Sequence, residues 1–461
     1  MSSKPTAGAS PPLSGAYRTV WRWHFYAGVF VMPFLLLLTL TGGLYLFKDE
    51  IDRAVYRQML HVPVSQQRST PDDWSAAAAM AAGGRTANVL IPASETEAVR
   101  LRVDRPDSER LTVFVNPYTA EVTGITAYGG VTETIRKLHS LSLFGGKAGT
   151  ALNILVEIAA GWAIILCATG LYLWWPRKRQ GAVLVPRETD TRRRPFWRDL
   201  HALTGFYTAG VIIFLAVTGM PWSAVWGDGF MGFMRDTGLG RPPAPTSQSW
   251  TKPEAHHAPE GQGWTMEHTV LAMDEDHSQH MAVPSLSNVV TTLKARDLPL
   301  PALVNIPSDS HNSWTASTQP QKVEDTRILY IDASNGAVKA DVSYGDFGIM
   351  AKGMEWGITV HQGMQYGWTN RILMLIGCIG VWALSISGVV MWWKRRPPRL
   401  SPPRLGAPPV KPPVSYGPVL AIVLPLAILY PLTGASLLVA LLVDRLILSR
   451  VRAGSSVSVN L

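Results

Sequence analysis

Five stretches of the chain, 28–47, 151–175, 205–226, 372–393 and 416–443, carry almost no charge. Each can supply the ~20 helical residues that cross ~30 Å of hydrocarbon. Backbone groups at that depth have no water to bond, so the stretches must be helices, and an ordinary soluble fold is excluded. Composition agrees: 16% of residues are Asp, Glu, Lys or Arg, 47% are hydrophobic and 17 are Trp, against about 25% charged in soluble domains. Disorder and fibrous repeats are excluded with it. The net charge of +9 comes from short basic runs flanking apolar stretches, which is where membrane insertion puts them, so the expected partner is membrane lipid and not nucleic acid. Cys167 and Cys378 lie within apolar stretches and read as small buried hydrophobes.

Orientation follows from Arg and Lys density. Arg177, Lys178, Arg179, Arg187, Arg192, Arg193, Arg194 and Arg198 lie between spans two and three, and Lys394, Arg395, Arg396, Arg399, Arg404 and Lys411 follow span four. Both loops are therefore expected in the cytoplasm, with the first span kept as a signal anchor and the N-terminus inside. The expected organisation is 1–48 N-terminus and helix 1, 49–135 periplasmic domain, 136–176 helix 2 with a preceding His segment, and 177–198 basic loop. It continues with 199–227 helix 3, 228–355 second periplasmic domain, 356–394 helix 4 with its His segment, 395–415 Pro-rich linker and 416–461 C-terminal membrane segment. In the periplasmic segments β-type runs at 99–104, 111–115, 327–332 and 338–342, with turn residues Asn116-Pro117 and Asn335-Gly336, predict small α+β domains. Residues 397–413 hold eight prolines and read as an extended linker. Pro425, Pro431 and Gly434 interrupt the fifth span, which is expected to bend into a hairpin.

The chain is also duplicated. His24 precedes Gly28 by 4 and Gly42 by 18 residues, and His201 precedes Gly205 and Gly219 by the same 4 and 18. His139 precedes Thr169-Gly170 and Leu173-Trp174-Trp175, while His361 precedes Ser387-Gly388 and Met391-Trp392-Trp393. Two copies of one unit, a helix out, an outer segment and a helix back, place two histidines near each membrane face. Eighteen residues make five helical turns, so Gly42 lies on the same face as His24 about 27 Å further along, and Gly219 likewise relative to His201. One stripe thus carries a ligand at one level and a gap at the other, as expected if flat cofactors pack against Gly28, Gly42, Gly205 and Gly219. Haem suits this, because two neutral imidazoles saturate its iron and favour electron transfer over oxygen chemistry. Zinc asks for three or four convergent ligands; copper, less demanding, stays open. Each histidine alone would read as an interfacial residue, and the glycines alone as helix-packing contacts; the matched set carries the argument.

Other candidates are weaker. Arg136, beside Lys137 and His139, and Arg371, beyond His361, are candidates to pair with haem propionates. Trp222 and Trp226 end the third span, either in an aromatic belt or as a substrate platform. Glu157, inside span two, is costly there and suggests proton uptake, a propionate network or a hydrogen bond to Asn153 or another neighbour. His256, His257, His268, His277 and His280, mixed with Met and acidic residues, match no standard metal spacing.

At Leu138-His139-Ser140-Leu141, Thr169-Gly170-Leu171-Tyr172-Leu173-Trp174-Trp175-Pro176, Leu200-His201 to Thr218-Gly219, and Phe114-Val115-Asn116-Pro117-Tyr118-Thr119, the sequence resembles the bacterial PepSY-associated transmembrane family. Tyr330-Ile331-Asp332 with Asn335-Gly336 resembles a more diverged second PepSY copy. The resemblance spans roughly Tyr17 to Arg396 and implies an α-helical inner-membrane protein. Its pseudo-two-fold four-helix core would bind two b-type haems, with His24, His139, His201 and His361 as axial ligands, and carry periplasmic α+β domains. It also implies reduction of ferric siderophores, which releases iron because hard oxygen ligands hold Fe(II) far less tightly than Fe(III). No Gly-rich dinucleotide fingerprint follows a strand, so the electron donor is expected to be separate, a quinol or a cytoplasmic reductase. A siderophore permease without redox chemistry and a regulatory peptide-binding PepSY protein are the competing readings.

Overall fold

A computed structural model describes residues 15–143, 146–175, 184–244, 285–307, 313–333, 335–395 and 416–457. In chain order its elements are α1 (Gly15–Tyr45), α2 (Lys48–Val55), α3 (Arg57–Leu60), α4 (Pro71–Ala82), β1 (Arg85–Ile91), β2 (Val99–Asp104), β3 (Arg110–Val115), β4 (Val122–Ala127), α5 (Gly130–His139), α6 (Gly146–Trp174) and α7 (Arg194–Gly219). They continue as α8 (Trp226–Asp236), α9 (Leu286–Ala295), β5 (Ala302–Asn305), β6 (Trp314–Thr318), β7 (Arg327–Ile331), β8 (Val338–Ser343), α10 (Ile349–His361), α11 (Gly367–Arg395), α12 (Gly417–Leu429) and α13 (Pro431–Val457). Among the described residues α1, α6, α7 and α11 are long and apolar enough to cross a membrane. The fifth apolar stretch is two helices. Tyr430 leaves the helical region at φ −120°, ψ 89°, because a residue before proline is pushed towards extended backbone and Pro431 has no N–H to continue the ladder. The expected Pro-rich linker at 397–413 and the histidine-rich segment at 256–281 lie outside the described residues.

The chain divides into two compact units. One comprises residues 1–40, 144–226 and 376–461. Its core joins Val20, Trp23, Ala27 and Val31 of α1 to Ala159, Trp162 and Ile165 of α6, Val419 and Val423 of α12, and Leu437 of α13. Apolar burial drives little association inside a lipid phase, so close backbone approach has to do it. A β-carbon on Gly380 would lie 2.6 Å from Thr208 Cγ2, and one on Gly377 would lie 2.6 Å from Val211 Cγ1. At Gly161 a β-carbon would overlap Thr433 of α13. Glycine at these points lets α11 meet α7 and α13 meet α6 backbone to side chain.

The other unit comprises residues 41–143 and 227–375 and is built on one eight-stranded antiparallel sheet in the order β4-β3-β2-β1-β5-β6-β7-β8. Two separate α+β domains were the expectation. Instead β1 pairs with β5, Asn88 opposite Asn305 and Val89 opposite Val304, and the two four-stranded halves become one sheet. Each half would otherwise expose a strand edge rich in unpaired N–H and C=O groups, and this pairing removes both edges. The duplication persists in detail: the register slips between Phe114 and Val115 in one half and between Tyr330 and Ile331 in the other. Helices α4 and α9 cover one face, where Trp74, Ala78, Val289 and Leu293 meet Val89, Leu101, Val113, Val304 and Leu329. Thr70 and Asp73 form a reciprocal capping box that starts α4, and Gly83 in the left-handed region ends it.

Strands β7 and β8 are tied by charge as well as by their ladder. Arg327 donates from Nε to Asp341 Oδ1 at 2.8 Å and from Nη2 to Oδ2 at 2.7 Å. These bonds hold the Asp341 carboxyl below its ordinary 3.8. A carboxyl depressed in the folded state contributes stability that is present above the unfolded value and is lost as acid titrates it in the folded chain. Asp341→Asn should therefore lower the melting temperature of the purified chain at pH 7 and lower it less at pH 3, as followed by circular dichroism. An equal loss at both values would show that the pair contributes nothing electrostatic.

Candidate functional site

Each of the four repeat histidines sits where its element meets a spanning helix. His24 lies on α1 and His201 on α7, whereas His139 and His361 are the last residues of α5 and α10. Helix α5 starts from Gly129 and Gly130, both at positive φ, which turns the chain sharply out of β4. The Tyr56 hydroxyl accepts from Val131 N–H at 2.8 Å and fills the space that a side chain at Gly130 would need. The helix is thereby fixed at its start, and its end presents His139.

Within the helical unit the His24 and His201 rings lie with centres 6.3 Å apart and planes at 88°. Within the sheet unit His139 and His361 lie 6.4 Å apart at 90°. The two pairs share one geometry. Burial first, and then the neighbouring His139, holds the His361 imidazole down to about 3, so the ring is neutral at physiological pH, the form that can ligate a metal. His24 Nδ1 is 2.9 Å from Thr169 Oγ1, His139 Nδ1 is 3.0 Å from Thr41 Oγ1, and His201 Nδ1 is 3.0 Å from Ser387 Oγ and 3.1 Å from the Leu384 carbonyl oxygen.

Two imidazoles joined through one metal ion by bonds of about 2.0–2.1 Å have ring centres about 6.3 Å apart. The spacing of both pairs therefore fits a group whose metal would be held by one imidazole of each partner. Among the described residues no group of three or more His, Cys, Asp and Glu converges as a metal site, and two imidazoles are too few for a closed zinc site.

The expected glycines have different surroundings. A β-carbon on Gly42 would lie 3.2 Å from His139 Cε1, so the residue makes room for an imidazole ring where a macrocycle was expected. The reason is length: α5 delivers its terminal histidine to that level of α1, and the ring fills the gap first. One on Gly28 would meet nothing within 4 Å, and one on Gly205 would touch Leu384 Cδ2 at 3.5 Å. Gly219 is the last residue of α7. Gly170 and Gly388, quoted only as part of the repeat, stand 3.3 Å from His24 Cε1 and 3.7 Å from His201 Cε1 by the same measure.

Arg136 is held by Glu133, Nε and Nη2 donating to the two carboxylate oxygens at 2.7 Å each. Arg371 donates to Glu50 at 2.5 Å and stacks on Trp368 and Phe47. A propionate at either arginine would have to share it with that carboxylate. Trp226 donates from its indole to the Leu429 carbonyl at 2.7 Å and packs on Tyr430, which ties it to the α12–α13 turn; Trp222 sits in the 3₁₀ turn ending α7. Buried Glu157 accepts from the backbone N–H groups of Val225 and Trp226 at 3.1 and 3.2 Å, so its carboxylate caps α8. The sequence marks Thr41, Thr169 and Ser387 as parts of the repeat but not as partners of the histidines. Their signal was present, since each immediately precedes a repeat glycine.

A family model described as PepSY-associated TM region matches residues 21–395. The chain belongs to this family. The match takes in all four histidines and both halves of the sheet, while α12 and α13 lie beyond it. Membership and four apolar helices make the chain a membrane protein. A comparison with curated proteins gave no match.

A side chain at Gly42 must displace the His139 ring, whereas one at Gly28 has open space. Gly42→Leu should destabilise the chain by about 1–3 kcal/mol, the usual cost of overpacking, and Gly28→Ala should leave thermal stability unchanged or slightly raised. Equal melting temperatures for the two variants would contradict the placement of His139.

Proposed function

We propose that this chain is a dihaem b-type oxidoreductase of the bacterial inner membrane that carries electrons from the cytoplasmic side to a ferric siderophore in the periplasm and releases Fe(II). One observation carries the reading: two half-buried imidazole pairs, 6.3 and 6.4 Å between ring centres, with the same near-perpendicular planes. Haem held by each pair would supply one-electron chemistry with no open coordination position. The protein's contribution is to fix each imidazole, exclude water from it, and keep it neutral.

The sheet unit offers a place for the substrate. A cavity of about 740 Å³ lies against the sheet face opposite α4 and α9, bordered by α2, α5 and α10. Thr132, Glu133 and Arg136 of α5 and Glu355, Ile358 and Thr359 of α10 line it. The two helices that end in His139 and His361 therefore form part of its wall. Its volume suits a ligand of several hundred daltons. Hard oxygen donors hold the reduced iron weakly, so reduction is the releasing step. The donor on the other side is a quinol or a cytoplasmic reductase.

Purified protein should be red and carry two haems b per chain. His24→Ala or His201→Ala should remove or convert the same haem and leave the other spectrally intact, and His139→Ala or His361→Ala should do the converse. In proteoliposomes reduced from the lumen that stands for the cytoplasm, ferric siderophore outside should be reduced. A colourless protein would favour a permease or a peptide-binding regulator. Loss of both haems from each folded single variant would defeat the pairing.

A further inference from the structure

In the spanning helices α1, α6 and α11, a hydroxyl residue followed by glycine meets a histidine of another element within the same unit. Thr169-Gly170 meets His24, Ser387-Gly388 meets His201, and Thr41-Gly42 meets His139. We propose that these dipeptides are histidine cradles: Thr169, Ser387 and Thr41 are positioning residues that accept the imidazole Nδ1–H and so present the Nε2 lone pair as the ligand. The inference builds on the bis-histidine reading above and adds residues that decide which nitrogen is offered.

Proton accounting supports it. A hydroxyl has one proton to donate. Thr169, buried, donates it to the Ile165 carbonyl at 2.7 Å, the back-bond that Ser and Thr make to the preceding turn of a helix. Towards His24 Nδ1, 2.9 Å away, its oxygen is therefore an acceptor, and Nδ1 must carry the proton. Ser387, fully buried, is committed in the same way to the Ala383 carbonyl at 2.6 Å. His201 Nδ1 faces in addition the Leu384 carbonyl oxygen at 3.1 Å, which can only accept. A neutral imidazole has a single N–H, so with Nδ1 protonated Nε2 holds the free lone pair. The glycine completes each cradle. Its missing side chain lets the ring approach the helix to 3.3 Å at Gly170 and 3.2 Å at Gly42, measured from the β-carbon position.

A hydrogen bond accepted from the far nitrogen raises the basicity of a ligating imidazole and fixes its orientation. A more basic ligand favours the ferric state, so removing the acceptor should raise the midpoint potential of that haem. Thr39, which back-bonds to the Leu35 carbonyl at 2.6 Å on the same helix as His24, serves as a control.

The test has two arms. In the full chain prepared without haem and labelled with ¹⁵N-histidine, nitrogen chemical shifts should report the Nδ1–H tautomer for His24 and His201, and Ser387→Ala or Thr169→Val should move only its own histidine towards a tautomer mixture. In the haem-loaded chain Thr169→Val should raise the midpoint potential of the His24/His201 haem and weaken its retention about 10–100-fold; Thr169→Ser should restore both, and Thr39→Val should change neither. Nε2–H histidines in the unsubstituted chain, or Thr169→Val with an unchanged tautomer and potential, would overturn the cradle. Nδ1–H histidines in a chain that takes up no haem would uphold the cradle and overturn the dihaem reading.

Discussion

The proposed function depends on imidazoles kept neutral and hydrogen-bonded in surroundings of low polarity. A charged histidine there would pay a large desolvation cost, and a neutral one with an unaccepted N–H would still lose a buried hydrogen bond. At His24 the chain meets both demands with a side chain and a gap: the Thr169 hydroxyl, already bonded to the preceding helical turn, faces Nδ1, and Gly170 beside it leaves room for the ring. At His24 and His201 this leaves the Nε2 lone pair, and the ring centres of the two pairs lie 6.3 and 6.4 Å apart. With those lone pairs fixed, the proposed one-electron transfer through saturated iron would need no further protein group.

The sheet unit extends the same logic outward. Joining the two halves through β1 and β5 makes a single rigid face, and α5 and α10 leave that face to end in His139 and His361. Because both helices also line the cavity, the position of the imidazole pair and the shape of the cavity are set by the same backbone segments. Two arginines that line that cavity are ion-paired, Arg102 held by Asp104 and Arg136 by Glu133.

Much of this was legible in the chain before any coordinates. Apolar length fixed the four spanning helices, and equal spacings of 4 and 18 residues from His24 and His201 exposed the duplication. Depth on neighbouring helices then carried the pairing of the histidines. Three features were not legible. Strands β1 and β5, whose pairing makes the sheet continuous, lie far apart in the chain with a spanning hairpin's worth of sequence between them, so the single sheet could not be inferred. The repeat glycines were seen, but the partner that fills each gap depends on where α5 and the spanning helices end. The contacts of Thr41, Thr169 and Ser387 with the histidines were hidden because a hydroxyl in an apolar helix usually satisfies itself by back-bonding, and only the three-dimensional contact shows a second partner.

The central claim is that each histidine pair holds one iron between two imidazoles whose planes cross. Electron paramagnetic resonance of the oxidised, purified protein tests it most directly. Ring planes at 88° and 90° predict two low-spin ferric haem signals of the strongly anisotropic type given by perpendicular imidazoles, and no high-spin signal. A high-spin ferric signal, a rhombic spectrum of parallel imidazole planes, or the absence of haem would contradict the account.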